Sequence, residues 1–292
     1  MSAVPVYDEA LERLGRGDRV AALEELKRRA VSLAQRLEQQ LGAEQEDAAT
    51  DEERRDAFLE AASEPAEELI AAAIPLIEYG GADDHAAVAQ ALQHVVDRVA
   101  AAEGAPQISQ ISAVVVLGRI VWSLATYTLS CRRLDALVAL ASVGTLPRYY
   151  DERPVLPVID DRSYRYPAAL GGNAGHSYRN YQEWLATREL VRERLAYLAV
   201  ALELTFGEAD LLLALRMHGQ NRGRTYSGGM RNNIVRRLAL RFRDRRQRQY
   251  LAEFFGVHDA ALDELVDGAY VALEHDRDLM APDLPARMLG GA

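Results

Sequence analysis

Lysine and cysteine are almost missing from this chain of 292 residues, in which Lys27 is the only lysine and Cys131 the only cysteine. A lone cysteine cannot form an intramolecular disulfide, which indicates a reducing compartment. Because Cys131 ends an apolar run, burial should raise the pKa of its thiol, and a thiolate nucleophile is not expected. Arginine therefore supplies nearly all of the positive charge, a bias that a GC-rich genome produces without any functional need.

A targeting segment is also missing. The N-terminus, from Met1 to Pro5, lacks a basic region followed by an apolar one, so we expect a cytoplasmic protein. The stretch from Ile111 to Cys131 is long enough to cross a bilayer, but Arg119 lies near its centre and several serines and threonines lower its hydropathy. We therefore expect a buried central helix and no contact with a membrane.

No stretch of the sequence alternates apolar and polar residues as a β-strand does, and no clean repeat is present. Instead, apolar residues recur at spacings of three and four, as on the buried face of a helix. One such helix runs from a cap at Asp18 to Gly42, and Ser63-Glu64-Pro65 predicts the start of another. Later predicted helices span 134–143, 182–206, 208–218, 230–255 and 258–275. The predicted fold class is all-α, an irregular multi-helix array around the central apolar helix from Ile108 to Cys131.

Three regions follow one another along the chain. Residues 1–143 form an acidic helical half, residues 144–181 an irregular segment, and residues 182–280 a C-terminal helical half with an arginine-rich helix. The sequence leaves open whether they form one domain. The irregular segment holds four of the ten prolines and six of the thirteen tyrosines. Long loops are usually functional or disordered, and large aromatic rings favour packing, so we expect an ordered wrap across the helices.

The formal net charge of −10 hides a strong asymmetry along the chain. Between Arg216 and Arg248 there are eleven arginines and one acidic residue, Asp244, which leaves about −20 for the remaining residues. Such polarity indicates a device for holding an anionic ligand, or for docking onto an acidic surface of the same molecule or of a partner.

The candidate binding residues are side chains of this basic region. On a helix from Met230 to Phe255, Arg237, Arg241 and Arg245 recur every four residues and predict a ladder of guanidinium groups about 6 Å apart, close to a phosphate repeat. The glycine-rich turn before this helix and the first helical residues add Arg222, Arg224, Tyr226 and Arg231. Three interpretations stay open, in which the arginines pair with carboxylates of the chain itself, with a protein partner, or with a nucleic acid or nucleotide.

The sequence offers little for catalysis. Asp160, Asp161 and His176 are the residues of a rival hypothesis, a metal-dependent phosphoesterase or nuclease. Their spacing does not require such a site, and the turn from Gly171 to Ser177 matches neither a Walker A loop nor a dinucleotide-binding turn. No cofactor and no metal site is predicted, and the sequence favours a protein that is not an enzyme without deciding the question.

Three short stretches carry a resemblance to a known class of protein. They are Arg133-Leu134-Asp135-Ala136-Leu137-Val138-Ala139-Leu140, Pro147-Arg148-Tyr149-Tyr150 and Tyr166-Pro167-Ala168-Ala169-Leu170-Gly171-Gly172-Asn173. Together they resemble the helical accessory or sensor regions beside effector domains in prokaryotic anti-phage defence proteins. The resemblance covers a small part of the chain, and it implies a recognition or regulatory region with catalysis elsewhere.

The sequence thus predicts a non-enzymatic helical binding or regulatory protein that recognises a protein partner or a nucleic acid through its arginine-rich helix. A structural homo-oligomer, in which this helix docks on the acidic half of a second copy, is a further alternative. The recognition hypothesis depends on a contiguous cationic surface, open to solvent, between Arg216 and Arg248.

Overall fold

The computed structural model describes residues 3–42, 50–101, 105, 107–144, 176–219, 231–276 and 288–289. Over these residues the chain forms helices and no strand, which confirms the all-α prediction. The described helices are α1 (Val4–Gly15), α2 (Arg19–Gly42), α3 (Asp51–Tyr79), α4 (Ala82–Ala101), α5 (Gln107–Ser130), α6 (Leu134–Ala141), α7 (His176–Ala186), α8 (Glu189–Glu193), α9 (Ala196–Gly219), α10 (Asn232–Arg243), α11 (Arg245–Phe255) and α12 (Asp259–Asp276).

The helix α5 lies at the centre of the fold and is buried around nearly its whole circumference, as its apolar run predicted. The helices α3 and α9 pack most extensively against it, and α2, α4, α6 and α7 also contact it. Polar groups of α5 find buried partners on these neighbours. The indole Nε1 of Trp122 donates to Asp210 on α9 at 2.9 Å, and the hydroxyl of Tyr127 donates to Glu78 on α3 at 2.5 Å.

The same helix is long and apolar enough to cross a membrane, with a mean hydropathy of 1.7 over its most apolar window. In the fold, 89% of that window is buried against other helices. A core helix passes the test of length and composition as readily as a membrane helix does, so the test alone is weak evidence for a membrane.

The start of α2 agrees with the sequence prediction, because the carboxylate of Asp18 accepts a hydrogen bond from the backbone N–H of Ala21 at 3.2 Å. The spacing of three and four residues places Val20 on the buried face of this helix together with Leu26 and Ala30. This is wrong for Val20, which is 69% exposed, whereas Ala22 is fully buried. A residue in the first turn of a helix can project beyond the neighbouring elements.

The helix α3 corrects a second prediction, that a new helix starts at Ser63-Glu64-Pro65. It begins at a capping box formed by Thr50 and Glu53 and runs on through both Pro65 and Pro75. A proline inside a helix removes one backbone hydrogen bond, and here the burial of one long apolar face compensates for that loss. Ser63 is no cap, because its hydroxyl accepts a hydrogen bond from the indole of Trp184 at 3.1 Å.

The region after the irregular segment differs most from its prediction. Helix α7 begins at His176, inside the segment predicted as irregular up to residue 181, while residues 145–175 lie outside the described part of the chain. The predicted helix over 182–206 is broken into α7, α8 and the start of α9. The break follows Ala186, where the carbonyl of Trp184 accepts hydrogen bonds from the side chains of Thr187 at 2.9 Å and Arg188 at 3.0 Å.

The predicted helices over 182–206 and 208–218 require Gly207 to separate them. In the structure, Gly207 does not end a helix. It lies inside α9, and a Cβ placed there would meet Cδ1 of Ile234 at 2.3 Å. The glycine therefore permits the close approach of α10 to α9. In a sequence, a glycine that permits close packing of two helices cannot be distinguished from a glycine that ends a helix.

The short helix α6 links the two halves of the chain, since it packs against α4 and α5 on one side and α11 on the other. Arg133, just before α6, donates to the carbonyl of Glu78 at 2.6 Å and of Gly80 at 2.7 Å. These carbonyls end α3 and lack partners within the helix, so Arg133 caps α3 from a distance. Buried side chains of both halves form one hydrophobic cluster.

Gly118 provides a test of how α7 is held on α5. A Cβ at this position would meet the hydroxyl and Cζ of Tyr181 at 2.3 and 2.4 Å, so Gly118→Ala should lower the free energy of unfolding by about 1–3 kcal/mol. The matched control is Gly268→Ala in α12, where nothing lies within 4 Å and a small gain is expected. Chemical denaturation of both variants measures the difference. Equal stability of the two variants would show that Tyr181 does not pack closely on α5.

Candidate binding surface

The arginine-rich region consists of two helices, which corrects the prediction of one helix from residue 230 to 255. Helix α10 ends at Arg243, Asp244 is extended, and α11 starts at Arg245. The carboxylate of Asp244 accepts hydrogen bonds from the backbone N–H of Arg246 at 2.9 Å and from Gln247 at 2.7 Å. These bonds, with the nearby charges of Arg246 and Arg132, lower the pKa of Asp244. Because Asp244 interrupts the helix and caps α11, Arg245 does not continue the row of Arg237 and Arg241 along one helix face.

Two of the predicted ladder residues are already neutralised inside the molecule. Arg237 and Arg241 each direct Nε to a different oxygen of Glu208 on α9, at 2.5 Å for Arg241. The Glu208 side chain is 1% exposed, whereas that of Arg237 is 41% exposed and that of Arg241 14%. A buried carboxylate held by two guanidinium groups is costly to separate from them, so neither arginine is available as a free cation.

Other arginines of the region are also occupied. Arg231 pairs with Glu203, and Arg248 with Asp259 and Asp263, where the contact to Asp263 is 2.8 Å. The prediction of a cationic surface made by all guanidinium groups between residues 216 and 248 is therefore wrong. Arg231, Arg237, Arg241 and Arg248 thus follow the first of the three interpretations, in which carboxylates of the chain itself neutralise the arginines.

Arg216, at the last turn of α9, is largely buried without a carboxylate partner in the described part of the chain. Its guanidinium lies over the ring of Phe254, 4.6 Å from the centroid, and Nη2 is 3.5 Å from the carbonyl of Ala141 at the end of α6. Burial lowers the pKa of Arg216 to about 10. Among the described residues, the aromatic ring and the negative end of α6 compensate this charge, and Nη1 is buried without a hydrogen bond.

Five other arginines remain exposed and form ion pairs with none of the described residues. They are Arg132, Arg236, Arg243, Arg245 and Arg246. Arg236 and Arg243 lie on the outer face of α10 together with Leu240, which is 66% exposed. Arg132, between α5 and α6, is close enough to Asp244 to lower its pKa. We call these five arginines and Leu240 the exposed arginine surface.

The residues of this surface were mostly missed at the level of sequence, although a signal for them was present. Ile234, Val235, Leu238 and Phe242 mark the buried side of α10, and they place Arg237 and Arg241 beside it rather than opposite to it. A four-residue spacing predicts that Arg237 and Arg241 share one face of the helix, but it does not indicate whether that face is exposed to solvent. Arg132 had no such signal, because it comes near α11 only through tertiary packing.

Several predicted site residues lie outside the described part of the chain. These are Arg222, Arg224 and Tyr226 of the basic binding site, and Asp160 and Asp161 of the rival metal site. The backbone of His176 begins α7, but its side chain is not described. Within the described residues, no group of three or more His, Cys, Asp or Glu side chains is arranged to hold a metal ion.

Comparison with known proteins adds no relative. No family model, no curated protein and no solved structure matches the chain. The geometry of the described residues is therefore the ground on which function is inferred.

Cys131 lies between α5 and α6, where burial raises the pKa of its thiol to about 11. We expect slow alkylation by iodoacetamide in the folded protein. At pH values below both pKa values, the thiolate fraction should be about a hundredfold lower than for an ordinary thiol with a pKa of 9.0. The rate should keep rising with pH beyond 9.0, towards about 11. A rate in the folded protein equal to that in urea at the same pH would contradict this placement.

Glu208 provides a test of the internal neutralisation. Glu208→Gln removes the charge that holds Arg237 and Arg241, and should lower the free energy of unfolding by about 3 kcal/mol, because a buried ion pair loses one partner. Glu203→Gln is the matched control, since both Glu203 and Arg231 are more than half exposed and should contribute less than about 1 kcal/mol. Urea denaturation of both variants decides the matter, and similar losses would refute a special role for Glu208.

Proposed function

We propose that this protein is a non-catalytic helical binding protein that holds an acidic protein partner on the exposed arginine surface. The single observation that carries the proposal is that five exposed guanidinium groups pair with no carboxylate among the described residues, although the chain carries a large excess of acid. The carboxylates of the chain have neutralised Arg237, Arg241 and Arg248, whereas these five form no ion pair within the described part of the chain. Charges left in this way favour a ligand that brings its own carboxylates.

The apolar groups among these arginines favour a protein over a nucleic acid. Leu240 is 66% exposed between Arg236 and Arg243, and Tyr250 on α11 is 41% exposed. Protein interfaces combine arginine and tyrosine with an apolar centre and a polar rim. A phosphate backbone would gain nothing from contact with Leu240, whereas an apolar side chain of a protein partner would.

The resemblance of residues 133–173 to helical regions of anti-phage defence proteins supports the same class of role. A place in prokaryotic defence, and a cytoplasmic location, stay predictions. The proposal assigns no catalytic residue and no cofactor. The rival metal-dependent nuclease rests on Asp160, Asp161 and His176, whose side chains lie outside the described part of the chain.

The binding proposal can be tested with polymers of defined chemistry. We expect the protein to bind a glutamate–tyrosine copolymer more tightly than polyglutamate, because the copolymer offers aromatic groups to Leu240 as well as carboxylates. The triple variant Arg236→Gln, Arg243→Gln, Arg246→Gln should weaken binding of both polymers about tenfold or more, measured by fluorescence anisotropy at low salt. Leu240→Ser should remove the preference for the copolymer and leave polyglutamate binding unchanged.

The matched control changes the net charge by the same amount at another place. The variant Arg16→Gln, Arg28→Gln, Arg98→Gln replaces three arginines that are each more than half exposed and lie on the other half of the chain. An equal loss in this control would mean that the overall charge matters and not the surface.

Two other results would replace the acidic protein partner with a different ligand. Tighter binding to DNA or RNA than to either polymer, with an affinity that falls steeply as salt rises, would show that the ligand is a nucleic acid. Sedimentation that depends on protein concentration at low salt and is normal at high salt would show that the partner is a second copy of the chain.

A further inference from the structure

A groove runs between α4 and α11, with α6 as its floor. Both helices pack against α6, but they do not pack extensively against each other. The groove has a volume of about 590 Å³, which is the size of many small-molecule sites. It follows α4 from Ala82 to Gln93, a length of about 16 Å. An elongated small molecule therefore fits the groove.

The carboxylates of the groove have no arginine among the lining residues to oppose them. Asp135 on α6 and Glu253 on α11 line it, and none of the described lining residues is an arginine or lysine. Asp135 pairs with Arg133 from outside this lining, with Nη2 3.0 Å from Oδ2. Glu253 is exposed and forms no ion pair within the described part of the chain. The lining therefore favours a cation.

His85, in the first turn of α4, brings a buried hydrogen-bonding atom without a partner to the groove. Its side chain is 1% exposed, and Nδ1 is buried without a hydrogen bond among the described residues. Burial lowers the pKa of His85, so the imidazole is uncharged at neutral pH and forms no ion pair with Asp135. A neutral imidazole has one N–H donor and one acceptor nitrogen, so the role of Nδ1 follows from that of Nε2.

The neighbours of Nε2 decide which ring nitrogen carries the hydrogen. Nε2 lies 3.3 Å from the carbonyl oxygen of Ile77, an acceptor, and 3.2 Å from Nη2 of Arg133, a donor. Nη2 has two hydrogens, and it donates to the carbonyl of Gly80 at 2.7 Å and to Asp135 at 3.0 Å. Because no hydrogen of Nη2 is left for His85, Nε2–H donates to Ile77 and Nδ1 is an acceptor.

Two acceptors therefore face each other at one end of the groove. Nδ1 of His85 lies 3.3 Å from Oδ2 of Asp135. Lone pairs at this distance repel each other unless a donor bonds both atoms, and a buried acceptor without a donor is costly. A primary ammonium group carries three N–H donors and a positive charge, so one such group satisfies both the imidazole and the carboxylate.

We propose that this groove is a binding site for a small organic ammonium ion, whose N–H groups donate to Nδ1 of His85 and to Oδ2 of Asp135. The hydrocarbon chain of the ligand packs on Ala89 and Val138, which line the groove between its polar groups. A second ammonium group on the ligand pairs with Glu253, so a diamine binds more tightly than a monoamine. The site shares no side chain with the exposed arginine surface and does not rest on the proposed function.

The experiment titrates the full chain with diaminobutane, butylamine and butyramide by isothermal calorimetry, at neutral pH and constant ionic strength. The three probes have the same length of hydrocarbon chain and carry two, one and no positive charges. Saturable binding of diaminobutane and butylamine is expected, with diaminobutane about threefold tighter. Butyramide has N–H donors without charge and should bind at least about tenfold more weakly than butylamine.

Two variants with matched controls locate the site. His85→Phe removes the acceptor Nδ1 and should weaken binding of both amines at least about tenfold, whereas His94→Phe, on the same helix outside the groove, should not. Glu253→Gln should reduce the affinity for diaminobutane to that for butylamine. Glu60→Gln makes the same change of charge at an exposed position on α3 and should bind as the wild type does.

Three results overturn the proposal. The first is a wild-type titration without saturable binding of either amine, or with butyramide bound as tightly as butylamine, which needs no variant and holds even if His85→Phe fails to fold. The second is unchanged affinity in folded His85→Phe, checked by circular dichroism. The third is tighter binding of lysine with both termini capped than of diaminobutane, which would assign the groove to a side chain of a protein instead of a free amine.

Discussion

The fold depends on the burial of α5, because this helix is apolar around its circumference and no face of it can be left in water. Helices from both halves of the chain cover it, chiefly α3 from the first half and α9 from the second. The few polar groups on α5 then need partners on those neighbours, as Trp122 finds in Asp210 and Tyr127 in Glu78. Burial of one helix thus fixes both the apolar packing and the positions of the interior acids.

Glu208 extends this constraint to the charged surface. It lies on α9, the helix that covers α5, and it is buried because α10 packs over it. A buried carboxylate needs cations, and Arg237 and Arg241 on the near side of α10 provide them. The arginines on the far side of α10 are then turned outwards with Leu240. The packing of α10 on α9 therefore decides which guanidinium groups pair inside the molecule and which remain exposed to solvent.

Much of the fold was predictable, since the helical periodicity and the apolar run of α5 are local properties of the sequence. The boundaries that failed depend on distant contacts. Gly207 lies inside α9 because Ile234 needs room, and Ser63 binds Trp184 instead of capping a helix. Few residues of the candidate surface were predictable, for the same reason. The basic region was evident from composition. The pairing of Arg237 and Arg241 with Glu208, and the approach of Arg132 to Asp244, depend on how the helices pack and could not be predicted from the sequence.

A GC-rich genome would account for the abundance of arginine in this chain, but it would not account for the positions of the arginines. A genomic bias towards arginine changes which cation occupies a basic position, but it does not choose where basic positions lie. Most arginines of the first half that pair with acids do so within one helical turn or with a neighbouring helix, such as Arg16 with Glu12 and Arg29 with Glu68. Arg236 and Arg243 form no ion pair among the described residues, in a chain with 44 acidic residues. Composition therefore accounts for the kind of side chain but not for its placement, and the unpaired placement is the feature that the proposed acidic partner would use.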